Sequence, residues 1–300
     1  MVYVPSARYE DAYRRIIDRA GAAASVLLFV SMDVDALCAL RILTALFKRD
    51  SIGYKIVPVS NYSEIASMNQ SLIVQNPQIK SVVFLNCAAQ IDIQDFVTLR
   101  EDLNIMVIDS HRPFNLYNVF WHEQVQCLDD GDVEANMQDL RLAFESIEFG
   151  DSSSGEESSD EDENSDDEFS KEEVLEGGAG RKRGSSEMLE GLAKSDRPQQ
   201  RRRKRRADMD PEEFLREQQR RAERREARAE QQRLIQAYYS QGTYYGQSCA
   251  ISTLMLAEQL GQPPSLDTVW WAIVGATSQQ LLQLIDTNGY TEVVRRMREM

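Results

Sequence analysis

The stretch LLFVSMDVDALCALRIL, Leu27–Leu43, decides the fold, because it passes from a buried strand into a helix within a few residues. Its apolar start has the length of one strand and ends at Val30, before a polar turn. Apolar residues then recur at helical spacing, at Leu37, Leu40, Leu43 and Phe47. This change of period predicts a buried strand followed by a helix that packs on it.

Three more short apolar runs follow, at Tyr54–Val59, Val82–Leu85 and Ile105–Ile108. Runs of this length are typical of buried strands, and Ile91–Leu103 is predicted as a further helix before the last run. Alternating strands and helices indicate a mainly parallel α/β sheet flanked by helices. Because ligands bind beyond the carboxyl ends of such strands, functional residues are expected there.

Charge divides the rest of the chain. The net charge is −15, and acidic residues concentrate between Asp151 and Glu176, in runs such as GEESSDEDENSDDE. The sign reverses at RRRKRR, Arg201–Arg206. Blocks of like charge cannot bury enough apolar surface to fold alone. We therefore expect an α/β core over 1–150 and a disordered insertion, acidic and then basic, over 151–209.

Helical patterns return after this insertion. An Asp, a Pro and two Glu residues at 210–213 form a strong helix start, and a long charged helix is predicted over 210–241. Its middle is polar on every side, so it cannot lie in a core there. Apolar stretches at Cys249–Leu260 and Leu266–Ile285 predict helices that pack on the sheet, so that 242–300 completes the first domain. The chain ends in a charged segment, and we expect a fragment of a longer protein.

Several functional classes find no support. The four cysteines are scattered, without the spacing of a zinc site or a disulfide framework. The sequence has no P-loop and no G-x-G-x-x-G, and its two histidines offer little material for Ser-His-Asp catalysis. It has no signal peptide and no apolar run that could cross a bilayer. A soluble intracellular protein without membrane partners is expected.

Potential metal ligands follow two of the predicted strands. Asp33 and Asp35 lie after the first, and Asp109, Ser110 and His111 follow the fourth in the sequence DSHRP. Carboxylates and an imidazole at one sheet edge can converge on a divalent cation. The D-x-D pair alone is better explained by Asp35 as a helix N-cap, because helix starts favour Asp. Asp109 and His111 at the same sheet edge favour a metal site over a helix cap alone.

With these residues in place, the sequence resembles the DHH phosphoesterase superfamily, which includes RecJ exonucleases. It is most similar to the N-terminal part of the RecJ-like replication factors of eukaryotes. The resemblance runs in order through DVDALCA, VPVSNY, LNCAAQID, DSHRP, the acidic insertion, the charged helix and WWAIVG. It implies a DHH-type domain, and this ordered set is far more specific than a D-x-D pair.

The ligand set that this resemblance implies is incomplete. The retained positions are Asp33, Asp35, Asp109 and His111. The lost positions are Asn86, Ser110 and an upstream ligand that falls on Phe29 or Ser31. Two-metal hydrolysis needs enough anionic and imidazole ligands to hold both ions. We therefore expect no catalytic residues, no cofactor and no functional metal pair. One weakly held cation and retention for loop geometry are equal alternatives.

The resemblance also implies a role in the nucleus as a non-catalytic subunit of the replicative helicase, required for initiation and elongation of DNA replication. The implied partners are the minichromosome maintenance ring, the GINS complex, origin-loading factors and the DNA polymerase machinery. Single-stranded DNA is a further candidate ligand. One alternative is an active metal-dependent RecJ-like exonuclease or phosphodiesterase, and another is an acidic nuclear scaffold unrelated to replication.

The insertion carries two candidate signals. Serines with an acidic residue three positions later are candidates for acidophilic kinases: Ser153, Ser154, Ser158, Ser159 and Ser165. An unregulated solvated tether has similar weight. The basic block is a candidate nuclear localisation signal, with a nucleic-acid contact as the alternative. It consists of Arg201, Arg202, Arg203, Lys204, Arg205 and Arg206.

Two further features have competing interpretations. The arginines between Arg216 and Arg233 could touch phosphates, although the interleaved glutamates favour a solvated or partner-facing helix. Trp270 and Trp271 could stack on bases, but their apolar surroundings favour a core or an interface.

Overall fold

The computed structural model describes residues 3–20, 25–134, 137–149, 211–263 and 265–299. These residues belong to two compact units, one formed by Met1–Glu145 with Gln232–Met300 and the other by Ser146–Gln231. The serines and the basic block singled out above lie outside the described residues. Within the described ranges, no helix combines the length and the apolar character needed to cross a bilayer.

A six-stranded parallel sheet forms the centre of the first unit. The strands of the chain are β1 Tyr3–Val4, β2 Val26–Ser31, β3 Tyr54–Val59, β4 Ser81–Leu85, β5 Asn104–Ile108, β6 His111–Arg112, β7 Val125–Leu128 and β8 Tyr244–Tyr245. The sheet order is β1-β7-β5-β4-β2-β3, and β6 pairs with β8 in a separate antiparallel ribbon. The predicted parallel α/β fold is therefore confirmed.

Within the described residues, the helices are α1 Tyr9–Arg19, α2 Val34–Arg49, α3 Tyr62–Asn69, α4 Leu116–Phe120, α5 Met137–Phe149, α6 Pro211–Ser240, α7 Cys249–Gln259, α8 Leu266–Leu281 and α9 Thr287–Glu299. Short 3₁₀ turns cover Ser6–Arg8 and Ile93–Asp95, and a π-helical turn covers Gln70–Val74. In the second unit, the described residues are the end of α5 and α6 as far as Gln231.

The predicted helix over Ile91–Leu103 is wrong, since only the 3₁₀ turn forms there. Side chains from other segments take backbone groups that a helix would use. Asn118 Nδ2 donates to the Ile91 carbonyl at 2.6 Å, and the amide of Thr98 donates to Asn69 Oδ1 at 3.1 Å. Tertiary hydrogen bonds thus replace the local helical bonds.

Alternating residues of the central strands face two cores. Leu28 and Val30 pack with α1, α2, α7 and α8 on one side of the sheet. Leu27 and Phe29 face the other side, where Phe29 stacks on Phe84 with ring centroids 5.2 Å apart. Because successive strand residues point to opposite faces, a run that is apolar throughout must be covered on both sides.

The strand order changes direction at β2: the chain first adds β3 on one side of β2 and then β4 on the other side. This strand lies between β3 and β4, and α2 packs on one face of the sheet while α3 packs on the other. The carboxyl ends of β2 and β4 therefore flank a topological switch point, where ligands bind in open α/β sheets. Asp33 and Asp35 follow β2, and Asn86 follows β4.

Candidate functional site

Asp33 caps the helix that follows β2. Its Oδ1 accepts a hydrogen bond from the Ala36 amide at 2.8 Å, and α2 begins at Val34. The N-cap is therefore Asp33, and not Asp35 as the D-x-D pair alone suggests. The capping role uses one carboxylate oxygen of a half-buried side chain for local structure.

Asp35 is buried against the N-terminus of α7. Its Oδ1 accepts from the Ser248 hydroxyl and from the Ala250 amide at 3.0 Å. Its Oδ2 accepts from the Cys249 amide at 2.8 Å and from Gln279 Nε2 at 3.5 Å. A carboxylate in this position satisfies the free amides of the first helical turn and is favoured by the helix dipole. Asp35 thus joins α2 to α7.

Gly275 of α8 is required by the close packing around this carboxylate. A Cβ added at Gly275 would lie 2.8 Å from Asp35 Oδ1 and 2.6 Å from Ala250 Cβ. The glycine of WWAIVG therefore allows α8 to approach α2 and α7 where Asp35 connects them. Trp270 is largely exposed, whereas Trp271 packs against the core and lies beneath Arg41, whose guanidinium carbon is 5.6 Å from its ring.

Asn86 lies between the two aspartates and Ser110. Its Nδ2 donates to Asp33 Oδ1 at 3.2 Å and to Asp35 Oδ2 at 3.3 Å. Its Oδ1 accepts from the Ser110 amide at 2.9 Å and from the Ser110 hydroxyl at 3.1 Å. The backbone has φ 55°, a left-handed conformation that Asn tolerates better than most residues. The neutral amide of Asn86, after β4, therefore links the residues that follow β2 to Ser110, which follows β5.

Asp109 and His111 form a second, separate cluster. Asp109 Oδ2 accepts from the amides of Ala88 and Ala89 at 3.0 and 2.9 Å. Its Oδ1 accepts from the His111 amide at 2.9 Å and lies 2.7 Å from His111 Nδ1. The His111 ring also packs on Tyr245, with centroids 4.9 Å apart. Asp109 thus fixes the loop after β4.

The environments of the two buried aspartates shift their pKa values in opposite directions. Burial raises the pKa of Asp35, and its hydrogen bonds from Ser248 and the α7 amides offset this only in part. Burial alone would raise the pKa of Asp109, but its bonds and charge interaction with His111 outweigh burial and lower it. The same pair raises the pKa of His111, although burial opposes this.

Arg112 locks the segment that follows His111. This side chain is buried, and its Nη1 donates to the Asp109 carbonyl at 2.8 Å. Its Nη2 donates to Asp130 Oδ1 at 2.9 Å, and the guanidinium lies 4.0 Å from the Phe114 ring centroid. The position of β6 is therefore set by a buried ion pair and a cation–π contact.

His122, the other histidine, is buried away from these residues. Its Nε2 lies 2.8 Å from Asp92 Oδ1, so its hydrogen bond supports the loop at Asp92.

The polar residues expected as ligands meet at the strand ends, but five of the six carboxylate oxygens of Asp33, Asp35 and Asp109 already accept hydrogen bonds from protein donors. Asp33 and Asp35 share the Asn86 amide, whereas Asp109 faces the Ala88 and Ala89 amides. Across the described ranges, no three His, Cys, Asp or Glu side chains are arranged to hold a metal ion. The side chains present therefore do not fit the two-metal centre of the DHH superfamily.

Comparison with known proteins identifies the family. The CDC45 family model matches residues 26–300, which is most of the chain. The chain belongs to the CDC45 family. It is 34% identical over 284 residues to the cell division control protein 45 homolog of Schizosaccharomyces pombe, covering 93% of this chain and 41% of that protein. It is 33% identical over 256 residues to the human homolog, covering 85% of this chain and 37% of that protein.

A solved CDC45 structure has the same fold. The crystal structure of CDC45 from Entamoeba histolytica aligns with 99% of this chain and 38% of its own, with a TM-score of 0.58 and 17% identity. The chain thus spans about two fifths of the length of these CDC45 proteins. The predictions of family and of fold class are confirmed.

The residues around Asp35 that sequence analysis missed lie near the end of this CDC45 chain. Ser248 caps α7, and a Ser ahead of an apolar helical stretch is a recognisable capping signal. Nothing in the sequence indicates that the capped helix would point at Asp35, which lies 213 residues earlier than Ser248. The contacts of Gly275 and Gln279 with Asp35 are likewise tertiary.

Proposed function

We propose that this chain is the N-terminal part of a nuclear, non-catalytic subunit of the eukaryotic replicative helicase. In this role it serves the initiation and elongation of DNA replication as an assembly and binding module. Its proposed partners are the minichromosome maintenance ring and the GINS complex, with origin-loading factors and the polymerase machinery in the same assembly. Membership of the CDC45 family supports this proposal, because its relatives are named as cell division control proteins.

The observation that carries the non-catalytic role is the position of Asn86. A carboxylate at this position would add negative charge beside Asp33 and Asp35, as a divalent cation requires. The amide instead donates to both aspartates, at 3.2 and 3.3 Å. This neutral amide donates to both carboxylates, and it is a poor ligand for a divalent cation.

Asp35 provides a second argument. To bind a metal, this carboxylate would have to give up hydrogen bonds from Ser248 and from the Cys249 and Ala250 amides. Those amides belong to the first turn of α7 and are buried with Asp35. Leaving buried donors unsatisfied costs about 1–3 kcal/mol each. The carboxylate thus acts as part of the core and not as an available ligand.

A nuclease assay tests the absence of catalysis. Full-length protein is incubated with labelled single-stranded DNA and Mn²⁺, beside the variants Asp33→Ala and Asp109→Ala. We expect equal background cleavage in all three samples. Cleavage by the wild-type protein that both substitutions abolish would establish the alternative, a RecJ-like exonuclease. Calorimetric titration with Mn²⁺ is the companion measurement, and we expect no saturable heat.

A pull-down tests the assembly role. Full-length tagged protein is expected to recover GINS and the minichromosome maintenance ring from a replicating extract. Recovery of neither complex by the wild-type protein would favour a scaffold unrelated to replication.

We further propose that residues 151–209 form an insertion whose basic block directs nuclear import. Deletion of Asp151–Gln200 is then expected to leave thermal unfolding unchanged. Replacing the six basic residues of Arg201–Arg206 by Gln is expected to reduce nuclear accumulation of a fluorescent fusion. A large loss of stability in the first case, or unchanged import in the second, would contradict these assignments.

A further inference from the structure

Helix α8 presents a row of large apolar side chains to solvent. Leu266, Trp270, Ile273, Thr277 and Leu281 follow one another at intervals of three or four residues, so they lie along one side of the helix. We call these five residues the α8 stripe. The exposed fractions are 87% for Leu266, 59% for Trp270, 40% for Ile273 and 77% for Leu281. The stripe therefore offers an almost entirely apolar surface about 22 Å long.

The opposite side of α8 is firmly packed, so the stripe does not belong to a loosely held helix. Ala272 and Ala276 are buried in the core that α8 shares with α2 and α7. A Cβ added at Gly275 would lie 2.6 Å from Ala250 Cβ, which shows how closely α8 approaches α7. Ser265 caps the helix by accepting from the Thr268 amide at 3.2 Å. The stripe is thus held on a fixed platform.

The helices that contact α8 leave the stripe open. On α9, the Tyr290 hydroxyl lies 2.9 Å from Thr277 Oγ1, while Val293 and Met297 pack against the core. On α2, the Arg41 guanidinium lies over Trp271, which is not part of the stripe. Among the residues that the structure describes, none covers more than a quarter of Leu266 or Leu281. Both ends of the stripe are therefore accessible.

The spacing of the stripe fits another α-helix. Side chains three and four residues apart form the ridges that pack into the grooves of a neighbouring helix. Burial of large apolar side chains is favourable, and soluble proteins rarely expose them in a continuous row. The stripe contains no charged residue that would demand an ion pair. Its natural complement is an amphipathic helix that presents aliphatic residues over about four turns.

The source of this helix is indicated by the size of the family. The chain spans about two fifths of the length of the CDC45 proteins that it matches. More than half of those polypeptides therefore lies outside the matched region. A helix of the same polypeptide is present at a high effective concentration, which favours it over a separate protein.

We propose that the α8 stripe is an internal interface of the complete CDC45 polypeptide. An amphipathic α-helix from the part that this chain does not span lies along α8 and places aliphatic side chains between Leu266, Trp270 and Leu281. The inference rests on membership of the family and not on the proposed role in the helicase. Because Gly275 and Gln279 of α8 contact Asp35, docking of this helix also supports the packing around Asp35.

Thiol labelling tests the accessibility of the α8 stripe. The four native cysteines of this chain are buried, so a cysteine placed on the stripe reports its own exposure. Leu266→Cys and Leu281→Cys are made singly, both in this chain and in the complete polypeptide. Labelling of each position by N-ethylmaleimide is followed by peptide mass spectrometry. We expect labelling to be at least about tenfold slower in the complete polypeptide, because the docked helix must first open. Equal rates in the two polypeptides would overturn the proposal.

Leu215→Cys is the matched control for labelling, since Leu215 is an exposed leucine of α6. Its labelling rate should be similar in the two polypeptides. If labelling at Leu215→Cys slows as much as at Leu281→Cys, the loss of reactivity is general and the assignment to α8 is refuted.

The same measurement distinguishes other occupants of the stripe. Slow labelling of Leu281→Cys in this chain alone, becoming rapid on dilution, would show that a second copy covers the stripe. Slow labelling of the complete polypeptide only after a nuclear extract is added would assign the stripe to a separate protein. Either result would show that the proposal is wrong.

Charged substitutions give a second, independent measurement. Trp270→Arg/Leu281→Arg places two charges on the stripe, and Leu142→Arg/Leu215→Arg places two charges at exposed positions elsewhere. Both variants should leave the thermal midpoint of this chain within about 2 °C of wild type, because the replaced side chains are exposed. In the complete polypeptide, only the stripe variant should lower the midpoint, by roughly 5 °C or more, because it would bury unpaired charges. An unchanged midpoint for the stripe variant would contradict the proposal. These results do not depend on the nuclease and pull-down assays, so the two proposals can fail separately.

Discussion

Replacing Asn86 by Asp exchanges the side-chain NH₂ group for an oxygen and should strongly destabilise the protein at neutral pH. The Nδ2 atom donates to Asp33 Oδ1 and Asp35 Oδ2 at 3.2 and 3.3 Å. In Asn86→Asp, a carboxylate oxygen would take its place and face two other carboxylates. The left-handed backbone at φ 55° should not add to this cost, because Asp also tolerates it. The effect therefore isolates charge and hydrogen bonding.

The loss of stability in Asn86→Asp is limited, because one of the three carboxyl groups can become protonated. Two unit charges at this separation repel by about 5 kcal/mol at an effective dielectric constant of 20. Protonating one carboxyl at pH 7, from an ordinary pKa near 4, costs about 4 kcal/mol, and a protonated oxygen can donate as Nδ2 did. Because protonation costs less than the repulsion, one of the carboxyl groups is expected to be protonated in the folded variant. We therefore expect Asn86→Asp to lose about 3–4 kcal/mol of unfolding free energy at pH 7.

The stability of Asn86→Asp relative to wild type should decrease as the pH rises. In the folded variant, the shared proton has a pKa raised above the unfolded value near 4. Stability is therefore highest relative to wild type below pH 4, and it is lost as the pH rises towards the raised folded value, at about 1.4 kcal/mol per pH unit. The difference from wild type should fall to within about 1 kcal/mol at pH 4.

Urea unfolding followed by tryptophan fluorescence measures this difference between pH 4 and 8. Asn288→Asp is the control, because it adds the same charge at an exposed position of α9 and should stay within about 0.5 kcal/mol of wild type. If Asn86→Asp is as stable as wild type at pH 7 without metal, Asn86 does not support the two aspartates as we infer.

Three further perturbations test the surroundings. Gly275→Ala places a methyl group within 2.8 Å of Asp35 Oδ1 and should cost roughly 1–3 kcal/mol in urea unfolding, and an unchanged midpoint would contradict the close packing. Ser248→Ala removes a buried donor to Asp35 and an N-cap, so a loss of roughly 1–3 kcal/mol of unfolding free energy is expected. Ser248→Thr keeps the hydroxyl and should retain most of the wild-type stability. His111→Gln removes the partner of Asp109. Because the folded pKa of His111 is raised, the stabilisation that it contributes is complete below its unfolded pKa near 6.5 and is lost as the pH rises through the folded value. The stability difference between wild type and His111→Gln should thus shrink between pH 6 and 9, and a constant difference would argue against the charged pair.

Local sequence patterns were sufficient for four of the six strands of the sheet and for the residue types at its edge, whereas the short strands β1 and β7 were not predicted. Strands such as Val26–Ser31 and Ser81–Leu85 are buried on both faces, and continuous apolar runs report this directly. The residue types at Asp33, Asn86 and Ser110 were also readable, because they follow predicted strands. The bounds of the charged helix α6 were readable as well, because its capping signal and polar pattern are local.

Only the tertiary structure decided what those polar residues do. Asp35 was expected as a metal position or a helix cap, and it accepts hydrogen bonds from Ser248, Cys249 and Ala250 in a helix more than two hundred residues away along the chain. The segment Ile91–Leu103 has a helical pattern, yet Asn69 accepts from the Thr98 amide, a backbone donor that a helix needs. Periodicity reports which side of an element is buried, because it is a property of neighbouring residues. Which donor meets a buried acceptor depends on how distant segments pack, and no local pattern contains that information.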